Sequence, residues 1–192
     1  MTSRILAFAG SARRDSLNKK LVRVAAAAAS AAGGTVTLID LDDYPMPVYH
    51  GDLEASRGVP EEARKLRRLI ADHDGLLIAS PENNASIPAM LKNALDWVSR
   101  PVDGQNGLAA YQGKVAALLA ASPGAFGGMR GLVHVRQILQ AVGVLVLSEQ
   151  VAVGRAHELF DASGALTDAK MRASVAGLAQ RLVSVCTKLT VA

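Results

Sequence analysis

The stretch Gly10-Ser11-Ala12-Arg13-Arg14-Asp15-Ser16-Leu17-Asn18 brings a glycine, two hydroxyls, an amide and two guanidinium groups into one short segment. An apolar run, Ile5 to Ala9, precedes it, and an alanine-rich segment, Leu21 to Ala32, follows it. A strand that turns through such residues into a helix leaves backbone N–H groups unpaired at the positive end of the helix dipole. That arrangement suits an anion, and a phosphate in particular. The hydroxyls of Ser11 and Ser16, the Asn18 amide and the guanidinium of Arg13 or Arg14 could complete a charge-assisted shell around it. Read without a ligand, the same segment is a capped strand-to-helix turn with solvated arginines.

Two more polar loops begin where apolar runs end. Leu76–Ala79 opens into Ser80-Pro81-Glu82-Asn83-Asn84-Ala85-Ser86, and Val115–Ala120 opens into the turn Ser122–Gly128. The elements that must position these loops alternate along the chain. Strands are expected at Ile5–Ala9, Thr35–Ile39, Leu76–Ala79, Val115–Ala120 and Val144–Leu147. Helices are expected at Leu21–Ala32, Glu61–Asp72, from Ile87 to Val98, at Leu132–Ala141 and at Thr167–Leu189. Two long loops are expected, Leu41–Pro60, rich in proline and glycine, and Pro101–Gly113. Strands that are apolar throughout and separated by helices specify a parallel sheet covered on both faces, in one α/β domain over residues 1–192. Ligands of such sheets bind beyond the carboxyl ends of the strands, where the three polar loops converge.

Spacing rejects several phosphate chemistries. The dinucleotide-binding glycine fingerprint is missing, because Ala12 and Asp15 stand where glycines are needed. Asp40, at the end of the second expected strand, imitates a ribose-binding acid but lacks those glycines. Tyr111 is followed by Lys114 at a spacing one residue too short for a short-chain dehydrogenase. No lysine follows a glycine-rich loop as in a P-loop, and no cysteine stands in the first loop to serve as a phosphatase nucleophile. The acids of a receiver domain are also absent. A flavin mononucleotide fits what remains: its phosphate in the first loop, backbone groups of Pro81 to Asn84 at the ring edge, and Ser122 with the glycines after it on the other side.

The patterns Gly-Ser-x-Arg-x-x-Ser-x-Asn at Gly10–Asn18 and Ser-Pro-Glu-x-Asn-x-Ser-x-Pro at Ser80–Pro88 resemble those of the NADPH-dependent FMN reductases, which include quinone and chromate reductases. Leu91-Lys92-Asn93-Ala94-Leu95-Asp96-Trp97 continues the likeness, which covers nearly the whole chain. The resemblance implies a flavodoxin-like three-layer sandwich, with a five-stranded parallel sheet of order 2-1-3-4-5 and helices on both faces. It implies FMN held by Ser11, Arg13, Ser16, Leu17, Asn18, Pro81, Glu82, Asn83, Asn84 and Ser122. It also implies a two-step transfer of electrons from NADPH or NADH through FMN to a small-molecule acceptor: a quinone, chromate, an azo compound or a flavin. No side chain need act as acid or base, since the cofactor carries the chemistry. Asn83 departs from the family, which usually has tyrosine there. A flavodoxin-like electron carrier and a flavin-sensing regulatory protein are the alternative readings; the arginines and the basic charge count against the carrier.

The totals exclude other classes. The formal net charge is +4 and the isoelectric point about 9.5, but the basic residues are scattered and aromatics make up 4%. That balance favours anionic small molecules over nucleic acid. No apolar run has the length of a membrane span and the first residues lack a signal-peptide pattern, so a cytoplasmic protein is expected. Cys186, the single cysteine, lies in an apolar helical pattern and is expected to be inert. His50, His73, His134 and His157 lack metal-ligand spacing and read as surface or loop residues. Tyr44 and Tyr49 could line an active-site rim or simply pack their loop. Trp97 reads as a core or interface aromatic. With the helix Leu132–Ala141 it is apolar enough to support an oligomer, and the resemblance implies a homodimer or homotetramer. Ser122, Arg130 and Glu149 are candidate counterparts of a polar cluster between subunits, with Val133 where an aromatic would help.

Overall fold

A computed structural model describes residues 2–190. Five strands form one parallel sheet: β1 (Arg4–Ala9), β2 (Thr35–Leu38), β3 (Gly75–Ala79), β4 (Val115–Ala121) and β5 (Leu145–Val153). Their order is β2-β1-β3-β4-β5, as the resemblance implies. Every residue of β3 and β4 is buried, and so is all of β1 after Arg4, because helices cover both faces of the central strands. Alternate residues serve the two faces. Ile5, Ala7, Leu77 and Leu119 pack with α1 (Leu17–Ala31) and α6 (Ala169–Thr190). Leu6, Phe8, Ile78 and Leu118 pack with α3 (Glu61–Asp72), α4 (Ala89–Val98) and α5 (Met129–Ala141). No helix among the described residues is long and apolar enough to cross a membrane.

Three expectations about the elements are corrected. First, α1 starts at Leu17 rather than Leu21, because Ser16 is extended and its hydroxyl accepts the Lys19 N–H at 3.4 Å, which caps the helix within the candidate loop itself.

Second, β5 runs to Val153 rather than ending at Leu147. Its register against β4 shifts between Ala116 and Leu118, so an irregularity carries the strand through Ser148, Glu149 and Gln150 and on to a second paired stretch. Polar residues are tolerated there because β5 is an edge strand.

Third, Leu41–Pro60 is not a featureless loop. It contains a 3-10 turn, Leu41–Asp43, and a short helix, α2 (Gly51–Arg57). The Trp97 indole N–H and the Asn93 amide both donate to the Pro47 carbonyl, at 2.7 and 3.0 Å, and the Tyr49 N–H donates to Asn93 Oδ1 at 2.8 Å. Trp97 is therefore buried beneath this segment, with its ring edge-on to Tyr49 at 4.9 Å, and cannot serve as an interface aromatic.

The histidine and cysteine readings divide. His73 is buried, not superficial: its ring nitrogens lie 2.6 Å from the Leu69 carbonyl and 2.7 Å from the Thr37 hydroxyl. Cys186 is buried in α6, and burial pushes its thiol up to about 12, which makes it a poor nucleophile.

Candidate functional site

Beyond the carboxyl ends of β1, β3 and β4 the three polar loops enclose a cavity of about 660 Å³. That volume is in the range of sites for small molecules and cofactors. Ser11, Arg13, Ser16, Leu17, Asn18, Pro81, Glu82, Asn83 and Ser122 all line it. Asn84 does not, although the sequence places it with the others. Asn84 and Ala85 occupy the two central positions of a tight turn, with φ of 50° and 63°. The N–H of Asn83 donates to the Ser86 carbonyl at 2.9 Å and the N–H of Ser86 donates back at 3.0 Å. This clamp offsets the strain of two consecutive left-handed residues. It also consumes the backbone N–H and carbonyl of Asn83, which are therefore not free to meet a ring edge as expected. Asn83 nonetheless lines the cavity.

The first loop leaves its backbone donors open. No backbone N–H from Ser11 to Asn18 has a hydrogen-bond partner among the described residues. Arg13 and Arg14 are exposed, and Arg13 lines the cavity. Gly10 is required by packing: a Cβ there would come within 2.9 Å of Leu91 Cδ2 on α4. Asn18 has a different part from the one expected. Its amide donates to the Ala121 carbonyl at 2.8 Å and accepts the Ala121 N–H at 2.9 Å, so the side chain is committed to β4 through both of its polar atoms. Ser16 Oγ accepts from Lys19, which leaves its proton available.

Glu82 likewise turns outward from its expected part. Its carboxylate accepts from the N–H groups of Arg130 and Gly131, at 3.0 and 3.1 Å, and from Arg130 Nε at 2.8 Å. It thereby caps α5 and ties the second loop to the first turn of that helix. Burial by itself would raise its carboxyl, but the Arg130 guanidinium and the two backbone donors outweigh that and hold it below the usual range. Arg130 is thus engaged within its own chain, with its guanidinium also 5.9 Å from the centre of the Phe126 ring. Ser122 accepts the Gly124 N–H at 3.1 Å, which shapes the third loop and leaves the hydroxyl proton free.

Pro88, Ala89 and Met90, at the start of α4, give the cavity an apolar wall, and His157 closes it from the loop after β5. Sequence reasoning missed these four. The rule that ligands meet strand ends would have found His157 had β5 been taken to Val153. Tyr44, with Met46 and Asn93, lines a smaller cleft of about 160 Å³ that meets the main cavity at Met90. Tyr49 instead donates to Glu54 at 2.9 Å and packs on Trp97. Among the described residues no group of His, Cys, Asp or Glu is arranged to hold a metal ion.

The residues present fit FMN. The free N–H groups and Arg13 form a donor set for a phosphate, and the proline, alanine and methionine walls suit a flat apolar ring. Comparison with known proteins agrees. A family model described as NADPH-dependent FMN reductase matches residues 3–158. The chain is 36% identical over 165 residues to a 2-hydroxy-1,4-benzoquinone reductase of a Burkholderia species, covering 85% of each chain. It is 37% identical over 160 residues to a quinone reductase of Pseudomonas putida, covering 83% of this chain and 82% of that one. Among solved structures it resembles the flavoenzyme NAD(P)H:(acceptor) oxidoreductase FerB of Paracoccus denitrificans, with a TM-score of 0.82, 32% identity, and 97% and 98% of the two chains covered.

Proposed function

The chain belongs to the family of NADPH-dependent FMN reductases, oxidoreductases that use FMN and NAD(P)H, and on that premise we propose that it reduces quinones at the cavity bounded by its three strand-end loops. One observation carries the reading: the loop whose N–H groups from Ser11 to Asn18 are unpartnered among the described residues lines the same cavity as the apolar Pro88, Ala89 and Met90. When bound there, FMN supplies the redox chemistry in two steps, a hydride taken from NAD(P)H and two electrons passed to an acceptor that enters after the nicotinamide has left.

The protein's part is to bind and orient. Ser11, Ser16, Leu17 and Asn18 offer N–H groups to the phosphate, and Arg13 neutralises its charge. Pro81, Glu82 and Asn83 bear on one edge of the ring, and Ser122 donates from the opposite loop. Pro88, Ala89 and Met90 exclude water from the ring face. No side chain is assigned a catalytic proton. The relatives' names make a quinone the leading acceptor; chromate, azo compounds and free flavins suit the same open face. We assign the working unit as a homodimer or homotetramer in the cytoplasm, with the exposed side chains Met129 and Val133 on α5 available to a partner copy.

The test is reconstitution. Protein incubated with FMN and freed of excess should keep the two visible flavin bands in stoichiometric amount and oxidise NAD(P)H with a benzoquinone. A colourless protein with no quinone-dependent NAD(P)H oxidation contradicts the proposal.

A further inference from the structure

Lys19 lies in the first turn of α1, and its side chain is only 9% exposed. Its ammonium donates to the Ala12 carbonyl at 3.3 Å and to the Asp40 carboxylate at 2.6 Å. Between Ser11 and Asp15 the bond to Ala12 is the one hydrogen bond that ties the loop to anything among the described residues. Asp40 follows β2, and its other oxygen accepts the Asp42 N–H at 3.1 Å, which caps the 3-10 turn Leu41–Asp43. One ammonium thus joins the anion loop to the end of the neighbouring strand. It also removes Asp40 from any ribose-binding part, because that carboxylate is already paired.

Lys19 is buried directly against the Ala12 peptide, whereas the Asp40 side chain is 37% exposed and its field is weakened by solvent. An ammonium bonded to the Ala12 carbonyl from inside the fold holds the loop without occupying the place of a ligand. The exposed Arg13 and Arg14 do not hold the loop's shape in this way.

We propose that Lys19 is a positioning residue that holds the Ser11–Asp15 loop in its phosphate-accepting shape and thereby makes the site select FMN over riboflavin. The inference rests on the FMN reading of the cavity. It differs from a purely structural role in one respect: loss of Lys19 should penalise only the ligand that carries the phosphate.

The experiment measures dissociation constants for FMN and riboflavin by quenching of flavin fluorescence, for wild type, Lys19→Met, Lys19→Arg and the double variant Lys19→Met/Asp40→Asn. The double variant removes both charges together, so no carboxylate is left without its cation, and thermal denaturation confirms that each variant is folded. Wild type should prefer FMN by about a hundredfold or more. Lys19→Met and the double variant should lower that preference by about tenfold, on the scale of one charge-assisted hydrogen bond, with riboflavin affinity changed by less than about threefold. Lys19→Arg, which keeps the charge, should retain most of the preference. A preference unchanged in both Met variants, or an equal loss for both ligands, overturns the inference while leaving the FMN reading intact. Failure of wild type to bind FMN overturns that reading itself.

Discussion

The Asn18 side chain pairs with the Ala121 peptide through both of its polar atoms, Nδ2 to the carbonyl at 2.8 Å and Oδ1 from the N–H at 2.9 Å. The pair is buried and joins the first turn of α1 to the last residue of β4, so it fixes the distance between the first and third loops.

Replacing Asn18 by Ala leaves the N–H and carbonyl of Ala121 without their partner. Unpaired buried groups of this kind cost about 1–3 kcal/mol. Urea denaturation should register that loss, and FMN affinity should fall with it because the two loops lose their common anchor. Unchanged stability in Asn18→Ala would remove this pair from the account.

Arg13 is an exposed cation that lines the cavity, and Arg13→Ala should weaken FMN by about 1.5–3 kcal/mol, the range for a hydrogen bond to a charged group. The loss should shrink as salt is raised, since the arginine is exposed. In enzyme saturated with FMN, kcat should stay close to wild type, because the arginine holds the cofactor and moves no proton. A large fall in kcat at saturating FMN contradicts its assignment as a counterion.

Asn83 stands where the family usually carries tyrosine. Asn83→Tyr should add apolar contact with the ring and tighten FMN by about 1–2 kcal/mol. It should also narrow the open side of the cavity, so kcat/KM for bulky quinones should fall more than for small ones. If neither FMN affinity nor the ratio of bulky to small quinones moves, Asn83 does not face the ring.

Glu82 carries a pH signature. Its carboxyl is held below the usual range by Arg130 and by the N–H groups of Arg130 and Gly131. The unfolded chain therefore takes up the proton first as pH falls. Stability from this cap is complete above the ordinary glutamate value of about 4.3 and is lost as pH drops from there through the lower folded value. Melting temperatures measured across that window should show wild type above Glu82→Gln at neutral pH, with the gap closing in acid. A gap independent of pH would mean that the charge on Glu82 is not what caps α5.

The readable parts of the chain are those whose burial leaves no choice. β3, β4 and most of β1 are buried on both sides, so an unbroken apolar run identifies them without any periodicity. The helix Glu61–Asp72 was legible to the residue from Pro60 and a regular apolar stripe. α2 was not, because it has no buried residue and its Glu54 is held by Arg100, some forty residues away in sequence. β5 was cut short because its edge position admits Ser148, Glu149 and Gln150 in mid-strand. In the site, the loops were legible because they follow strands, but the parts within them were not. Asn18 and Glu82 are committed to distant backbone groups, and Lys19 to Asp40 across a gap between two elements, and no local pattern announces such partners.

The central claim is that this cavity holds FMN and passes electrons from NAD(P)H to a quinone. The most direct measurement is anaerobic titration of the FMN-reconstituted protein, followed in the visible. The account predicts that one equivalent of NAD(P)H bleaches the flavin absorbance and that one equivalent of benzoquinone then restores it, with each half complete in the absence of the other reactant. Flavin that stays bound but is not bleached by NADPH or NADH would contradict the account and leave the protein a carrier or a sensor.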